Sequence, residues 1–222
     1  MRTLYHSLLC PFSRKARVLL IEKKLEHELI LEPVWERRAE FLALNPMGDV
    51  PVLIEDDGFI VVGNQAVSEY IDEVAQGQIL MGWATRDRAE VRRLVTWFDC
   101  KFNNEVTRNL VGEKMGKRLS GEGHPDSRAI RIGSQSLGTH LDYVSALIQE
   151  RNWLAGEFFS VADITAAAHL SCLDYIGDVP WEAYPEAKEW YVRIKSRASF
   201  RPLLSERITG APPPAHYSDL DF

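Results

Sequence analysis

The hydrophobic pattern changes character near residue 80. Before that point, short apolar runs alternate with segments of helical spacing. Residues 2–9 form an apolar-rich run that predicts a strand. Over 11–25, Val18, Leu19, Leu20 and Ile21 supply an apolar part and Arg14, Lys15, Arg17, Lys23 and Lys24 a polar part, which predicts a helix. Residues 26–32 alternate charged and apolar positions and predict a second strand. A short helix is expected over 35–44, stopped by Asn45-Pro46-Met47-Gly48. Two further strands, 50–55 and 59–62, flank a hairpin turn at Asp57-Gly58. A helix over 65–74, with Val67, Tyr70, Ile71 and Val74 in register, completes a βαβαββα order.

The pattern weakens over 76–83, as a linker would, and the strand signal nearly vanishes after it. From Thr85, apolar residues at Val91, Leu94, Val95, Phe98, Phe102, Val106 and Leu110 recur at steps of three and four and predict a long helix. Residues 116–125, rich in glycine and charge, read as a loop, and the charges over 113–118 as a solvated face. A second long helix is expected over 126–151. Its internal Gly133 and Gly138 each cost about 1 kcal/mol against alanine, a sign of close helix contact. Another helix is expected over 185–196, opened by proline. The clearest local signal is Phe159-Ser160-Val161-Ala162-Asp163-Ile164: Ser160 can cap a helix, Asp163 can reach back to its amide, and Phe159 and Ile164 are placed as a hydrophobic staple.

Composition narrows the function classes. With 222 residues the chain has room for one large or two small domains, and 45% hydrophobic and 26% charged residues are ordinary globular values. No apolar run approaches the ~18 residues of a membrane span, and no signal peptide or direct membrane insertion is expected. A net charge of -6 argues against nucleic acid as a partner. Three cysteines without a CxxC make no disulfide framework, so a reducing cytoplasm is the expected compartment. No histidine or carboxylate cluster has metal spacing, and no metal is expected.

Cys10 is the main candidate for chemistry. It precedes a helix carrying Arg14, Lys15 and Arg17, and both the helix dipole and the cations would favour its thiolate. The other reading is a small apolar residue in a turn, and spacing alone leaves both open. Ser13 stands where a resolving cysteine would, so a dithiol cycle is not available there. Cys100 and Cys172 lie within helical patterns and are expected in the core; His6 and His169 are expected to be structural.

Four segments in order resemble the cytosolic glutathione S-transferase superfamily. They are Cys10-Pro11-Phe12-Ser13, the stretch 45–53 with Val50-Pro51, the capping segment 156–164, and Tyr184-Pro185 through Ser199-Phe200-Arg201-Pro202. The resemblance implies a thioredoxin-like α/β N-terminal domain (1–77), an all-α C-terminal domain (84–208), an extension (209–222) and a homodimer. It also implies a cis peptide bond at Pro51, with the backbone of Val50 facing the cysteinyl part of glutathione. The family's Glu-Ser or Asp-Ser pair, which holds the γ-glutamyl group, falls on Gly63-Asn64. Asparagine could still cap the helix, but the acid that neutralises the ammonium is gone, at a cost of roughly 1.5–3 kcal/mol. Glutathione is therefore expected to be dispensable and weakly held at best.

The extension is the second departure. A stiff spacer, Thr209-Gly210-Ala211-Pro212-Pro213-Pro214-Ala215, precedes His216-Tyr217-Ser218-Asp219-Leu220-Asp221-Phe222. One reading is a frayed tail or one packed on its own domain. The other is a recognition peptide in which Tyr217, Asp219, Leu220, Asp221 and Phe222 meet a partner. The tail, the Cys10 turn and the lost acid together resemble an FtsZ-localised branch of the superfamily in alphaproteobacteria, which implies binding to filaments of the tubulin-like division GTPase FtsZ, and favouring their curvature, in the cytoplasm at the division site. The rival expectation is a cysteine-type transferase or glutathione-dependent thiol reductase with Cys10 as nucleophile, Ser13 beside it, and Val50, Pro51, Gly63 and Asn64 as the glutathione site.

Overall fold

The computed structural model describes residues 1–220; Asp221 and Phe222, two of the tail residues named above, lie outside the described residues. The first eighty residues build a four-stranded sheet in the order β2-β1-β3-β4. Strand β1 (Arg2–His6) runs parallel to β2 (His27–Leu31) and antiparallel to β3 (Val52–Ile54), which pairs antiparallel with β4 (Ile60–Val62). Leu4 pairs with Leu29 on one side and Leu53 on the other. Leu4 and Leu53 are buried in the main core with Leu19, Leu20, Val67 and Ile71 of helices α1 (Pro11–Glu22) and α3 (Asn64–Val74). Val52 joins a smaller cluster with Phe41 of helix α2 (Ala39–Leu44), Val50 and Cys10. The helix expected over 35–44 is split: a 3-10 turn at Val34–Glu36 comes first, and Arg37, in the left-handed region at φ 49°, breaks the path into α2.

Helix α1 differs most from its sequence reading. Its cations do not form a wet face: Arg14, Lys15, Arg17 and Lys23 are all buried. The helix is packed on one side by α3 and on the other by α7 (Val161–Tyr175). Arg14 and Arg17 therefore pair with Glu206, Lys15 with Asp99, and Lys23 with Asp72. The linker is pinned by the same means. Asp72 accepts the amides of Leu80 and Met81 at 2.9 and 3.0 Å, and Lys23 donates to the Gln78 carbonyl at 2.6 Å.

The second half is helical. Helix α4 (Thr85–Thr96) passes without a break into a π-wound segment, Trp97–Gly116, and then α5 (Lys117–Ser120). The loop expected from 116 thus begins only at Gly121, which takes φ 74°. Glu113 holds Lys117 one turn on, and Lys114 reaches Asp178 in the loop after α7, so these charges are paired within the chain instead of forming a free solvated face. Cys100 is exposed, contrary to expectation, because Phe98 and Phe102 take the inward positions on either side of it. Helix α6 (Ser127–Glu150) is capped by Asp126 and lies close against the π-wound segment. A Cβ on Gly133 would stand 2.8 Å from Asn109 Cβ, which is the close contact its glycine allows. Helix α8 (Pro185–Lys195) and the short α9 (Arg201–Leu204) follow.

Helix α7 is the centre of the molecule, and every one of its residues is buried. Ser160 and Asp163 form the expected capping box. Asp163 does more than cap: it accepts from the amides of Leu154 (2.9 Å) and Ser160 (3.0 Å) and from Trp190 Nε1 (3.0 Å). Asp163→Ala would leave all three donors buried and unpaired, and a loss of about 3 kcal/mol or more is expected. Urea unfolding followed by circular dichroism measures it; a loss below about 1 kcal/mol would contradict the central place given to this carboxylate.

Candidate functional site

Cys10 sits at the N-cap of α1 in extended geometry, and its carbonyl accepts the Arg14 amide at 3.0 Å. A turn from Ser7 to Cys10 closes with the Cys10 amide on the Ser7 carbonyl at 3.3 Å. The thiol lies 3.7 Å from the Val50 carbonyl. It lines a cleft of about 240 Å³ between the two halves of the chain, with Leu9, Val34, Trp35, Thr107 and Val111. Ser13 is fully buried, and its hydroxyl accepts the Ser7 amide at 3.2 Å. It builds the turn under the cleft.

Of the two readings of Cys10, the activated thiolate has the surroundings against it. Burial pushes the thiol up from its ordinary range, and this outweighs the bonds from Ser13 and the Phe12 amide at the helix start. The cations counted on to oppose it point elsewhere, into the ion pairs along α1.

The opposite lip is the loop before β3. Asn45 is buried and organises it, donating to the Asp49 carbonyl at 2.9 Å and accepting the Met47 amide at 3.1 Å. Gly48 turns the chain at φ 69°. The Val50-Pro51 bond is cis. The cis geometry expected at this bond is thus present.

The start of α3 forms the next part of this region. Gly63, at φ 91°, occupies the N-cap of α3 and offers no side chain, and an L-residue there would be strained. Asn64 is the first residue of α3 and not its cap. It donates to Asp99 Oδ2 at 2.6 Å, and its own Oδ1 is buried with no hydrogen-bond partner. Asp99, which sequence reasoning missed, is the acid nearest this lip. Lys15 holds Oδ2 at 2.5 Å, and His169 Nε2 lies 3.4 Å from Oδ1. Burial alone would raise the Asp99 carboxyl; Lys15 and His169 override it and bring it down to about 2. Both oxygens thus have partners within the chain. His169, buried and also bonded to Thr107 at 2.9 Å, is structural, as expected. His6 is buried as well, and burial lowers it to about 4.

The tail is drawn inward. Tyr217 is fully buried and donates to the Leu203 carbonyl at 3.0 Å, so it is removed from the expected partner-facing set. Leu220 packs on the core, while Asp219 is exposed. Among the described residues no group of acids, histidines and cysteines could hold a metal.

Comparison with known proteins identifies the fold. The pattern of the glutathione S-transferase N-terminal domain matches residues 4–78, and that of the C-terminal domain matches residues 125–198. The chain belongs to the glutathione S-transferase superfamily. FtsZ-localized protein A of Caulobacter vibrioides is 47% identical over 224 aligned residues, covering 100% of this chain and 98% of that protein. The solved structure of FzlA from C. crescentus superposes with a TM-score of 0.97 at 47% identity, covering 100% of this chain and 99% of the other. A glutathione S-transferase structure from Rhodospirillum rubrum F11 superposes with a TM-score of 0.98 at 56% identity, covering 100% of both chains.

Two measurements test the site. Thiolate absorbance at Cys10 in a Cys100→Ser background should show a midpoint above that of an ordinary thiol; a midpoint below pH 7 would restore the activated thiolate. Asp99→Asn leaves Lys15 buried without its counter-charge, so a loss of about 3–5 kcal/mol is expected in denaturant unfolding. Because the Asp99 carboxyl lies lower in the folded chain than in the unfolded one, its contribution is complete above about pH 4 and falls away towards pH 2. An unchanged acid-unfolding profile in Asp99→Asn would contradict the assignment.

Proposed function

We propose that this chain is a non-catalytic adaptor of bacterial cell division, which binds FtsZ filaments as a homodimer at the division site and favours their curvature. The observation that carries the reading is the similarity, over the full chain, to a relative named FtsZ-localized protein A. The site supports it by what it lacks: Gly63 carries no acid, Asp99 is already paired, and burial raises the Cys10 thiol instead of activating it. Glutathione is neither needed nor firmly held in this reading. A two-fold dimer presents each surface twice, and bivalent attachment to neighbouring subunits is a direct way to impose a bend. Among the described residues no helix is long and apolar enough to cross a membrane.

A second reading has one observation in its favour: the Rhodospirillum rubrum structure, 56% identical, is described as a glutathione S-transferase. In that reading Cys10 performs thiol chemistry on glutathione conjugates.

Co-sedimentation separates the two. The chain should pellet with GTP-assembled FtsZ, electron microscopy should show more strongly curved filaments, and Cys10→Ser should pellet equally well. Failure of the wild-type chain to pellet refutes the adaptor. Glutathione-dependent disulfide reduction that is lost in Cys10→Ser would establish the enzyme.

A further inference from the structure

The segment after α9 is built into the fold rather than appended to it. The Ile208 amide donates to Tyr175 Oη at 2.7 Å, and the same hydroxyl donates to the Ala211 carbonyl at 2.9 Å. Arg118 Nη2 holds the Gly210 carbonyl at 2.7 Å. A 3-10 turn, Ala215–Ser218, then brings His216 Nε2 to 3.0 Å from Asp174, while Lys195 Nζ donates to the His216 carbonyl at 3.0 Å. These bonds seat Tyr217 in the core, edge-on to Tyr175 with ring centres 5.1 Å apart.

Tyr217 and Tyr175 cover a cation that belongs to the other half of the chain. The Arg14 guanidinium lies 5.8 Å from the Tyr175 ring centre and beside the Tyr217 phenol, which burial holds up at about 12 in spite of that charge. Arg14 Nη1 donates to Ser171 Oγ at 2.8 Å, and Nη2 stands 3.8 Å from Glu206 with no hydrogen bond of its own. The fifth donor is the informative one. Arg14 Nε holds the Leu8 carbonyl at 2.7 Å, and Leu8 lies in the Ser7–Cys10 turn that forms the floor of the cleft.

We propose that residues 209–220 act as a strap that holds the Cys10 turn in place through Arg14, so that lifting the strap loosens the cleft. The physical reason is the solvation of Arg14. While Tyr217 is seated, the guanidinium is dry and its short bond to the Leu8 carbonyl has no competitor. With Tyr217 withdrawn, water reaches Nη2, and the guanidinium is free to leave Leu8. A partner that pulls on the tail would then change the cleft, and a partner in the cleft would change the seating of the tail by the same factor. The coupling stands on contacts within the chain and does not depend on FtsZ being the partner.

The test uses the full chain with Cys100→Ser, because that exposed thiol would mask the signal. Iodoacetamide labelling at Cys10 is followed by mass spectrometry, with amide hydrogen exchange in α3 as the control, in Tyr217→Ala and in the milder His216→Ala. The strap predicts that Cys10 labels at least tenfold faster in Tyr217→Ala and severalfold faster in His216→Ala, with exchange in α3 unchanged. Should Tyr217→Ala fail to fold, His216→Ala decides alone. Unchanged Cys10 labelling overturns the proposal. So does an equal rise in α3 exchange, which would mean general opening rather than a path from strap to cleft.

Discussion

A helix that enters a domain seam with four buried cations must find counter-charges for them. That constraint on α1 organises much of this protein. A buried ammonium or guanidinium without a partner costs several kcal/mol, so Lys15 and Lys23 each draw an acid from a distant part of the chain, and Arg14 and Arg17 share a third. Asp72 comes from α3, Asp99 from the π-wound segment and Glu206 from beyond α9. The pairs fix α1 against both halves of the molecule and, through Lys23, fix the linker between them as well. Packing of the wholly buried α7 supplies the apolar area, and these pairs help set its register.

The same pairing decides the chemistry of the cleft. The cations that would have favoured a thiolate at Cys10 are neutralised by carboxylates behind it, which leaves burial as the dominant influence on the thiol. Asp99 is the acid close to Asn64, and it is held by Lys15 and His169 as well. The Val50-Pro51 lip persists because backbone groups do not depend on side-chain identity. The cleft thus has a cis-proline lip on one side and charges paired within the chain behind it.

The elements were legible where the pattern was periodic or the local chemistry explicit. The βαβαββα order, the Ser160–Asp163 cap and the close approach at Gly133 follow from residue type and spacing, and the cis Val50-Pro51 bond from the family resemblance. The environment of α1 was not legible. Lysine and arginine at helical spacing normally mark a solvated face, and only tertiary partners hundreds of ångströms of chain away reverse that reading. Asp99 escaped notice for a related reason: one acid in a long amphipathic helix carries no local signal until Lys15 and Asn64 are brought to it. Cys100 was misplaced because two core phenylalanines flank it and helical phase turns the residue between them outward. Tyr217 kept two readings open because aromatic residues beyond a proline spacer serve equally well as an external or an internal anchor. Its burial decides for the internal one.

Under the proposed function, loss of a catalytic site and gain of an adaptor are two consequences of one rearrangement of charge. The most direct test is isothermal titration of the full chain with reduced glutathione at neutral pH. With Gly63 in place of an acid and Asp99 paired within the chain, no saturable heat is expected up to millimolar ligand. A micromolar dissociation constant would contradict that expectation, since it would mean that some carboxylate in the assembled protein still receives the γ-glutamyl ammonium.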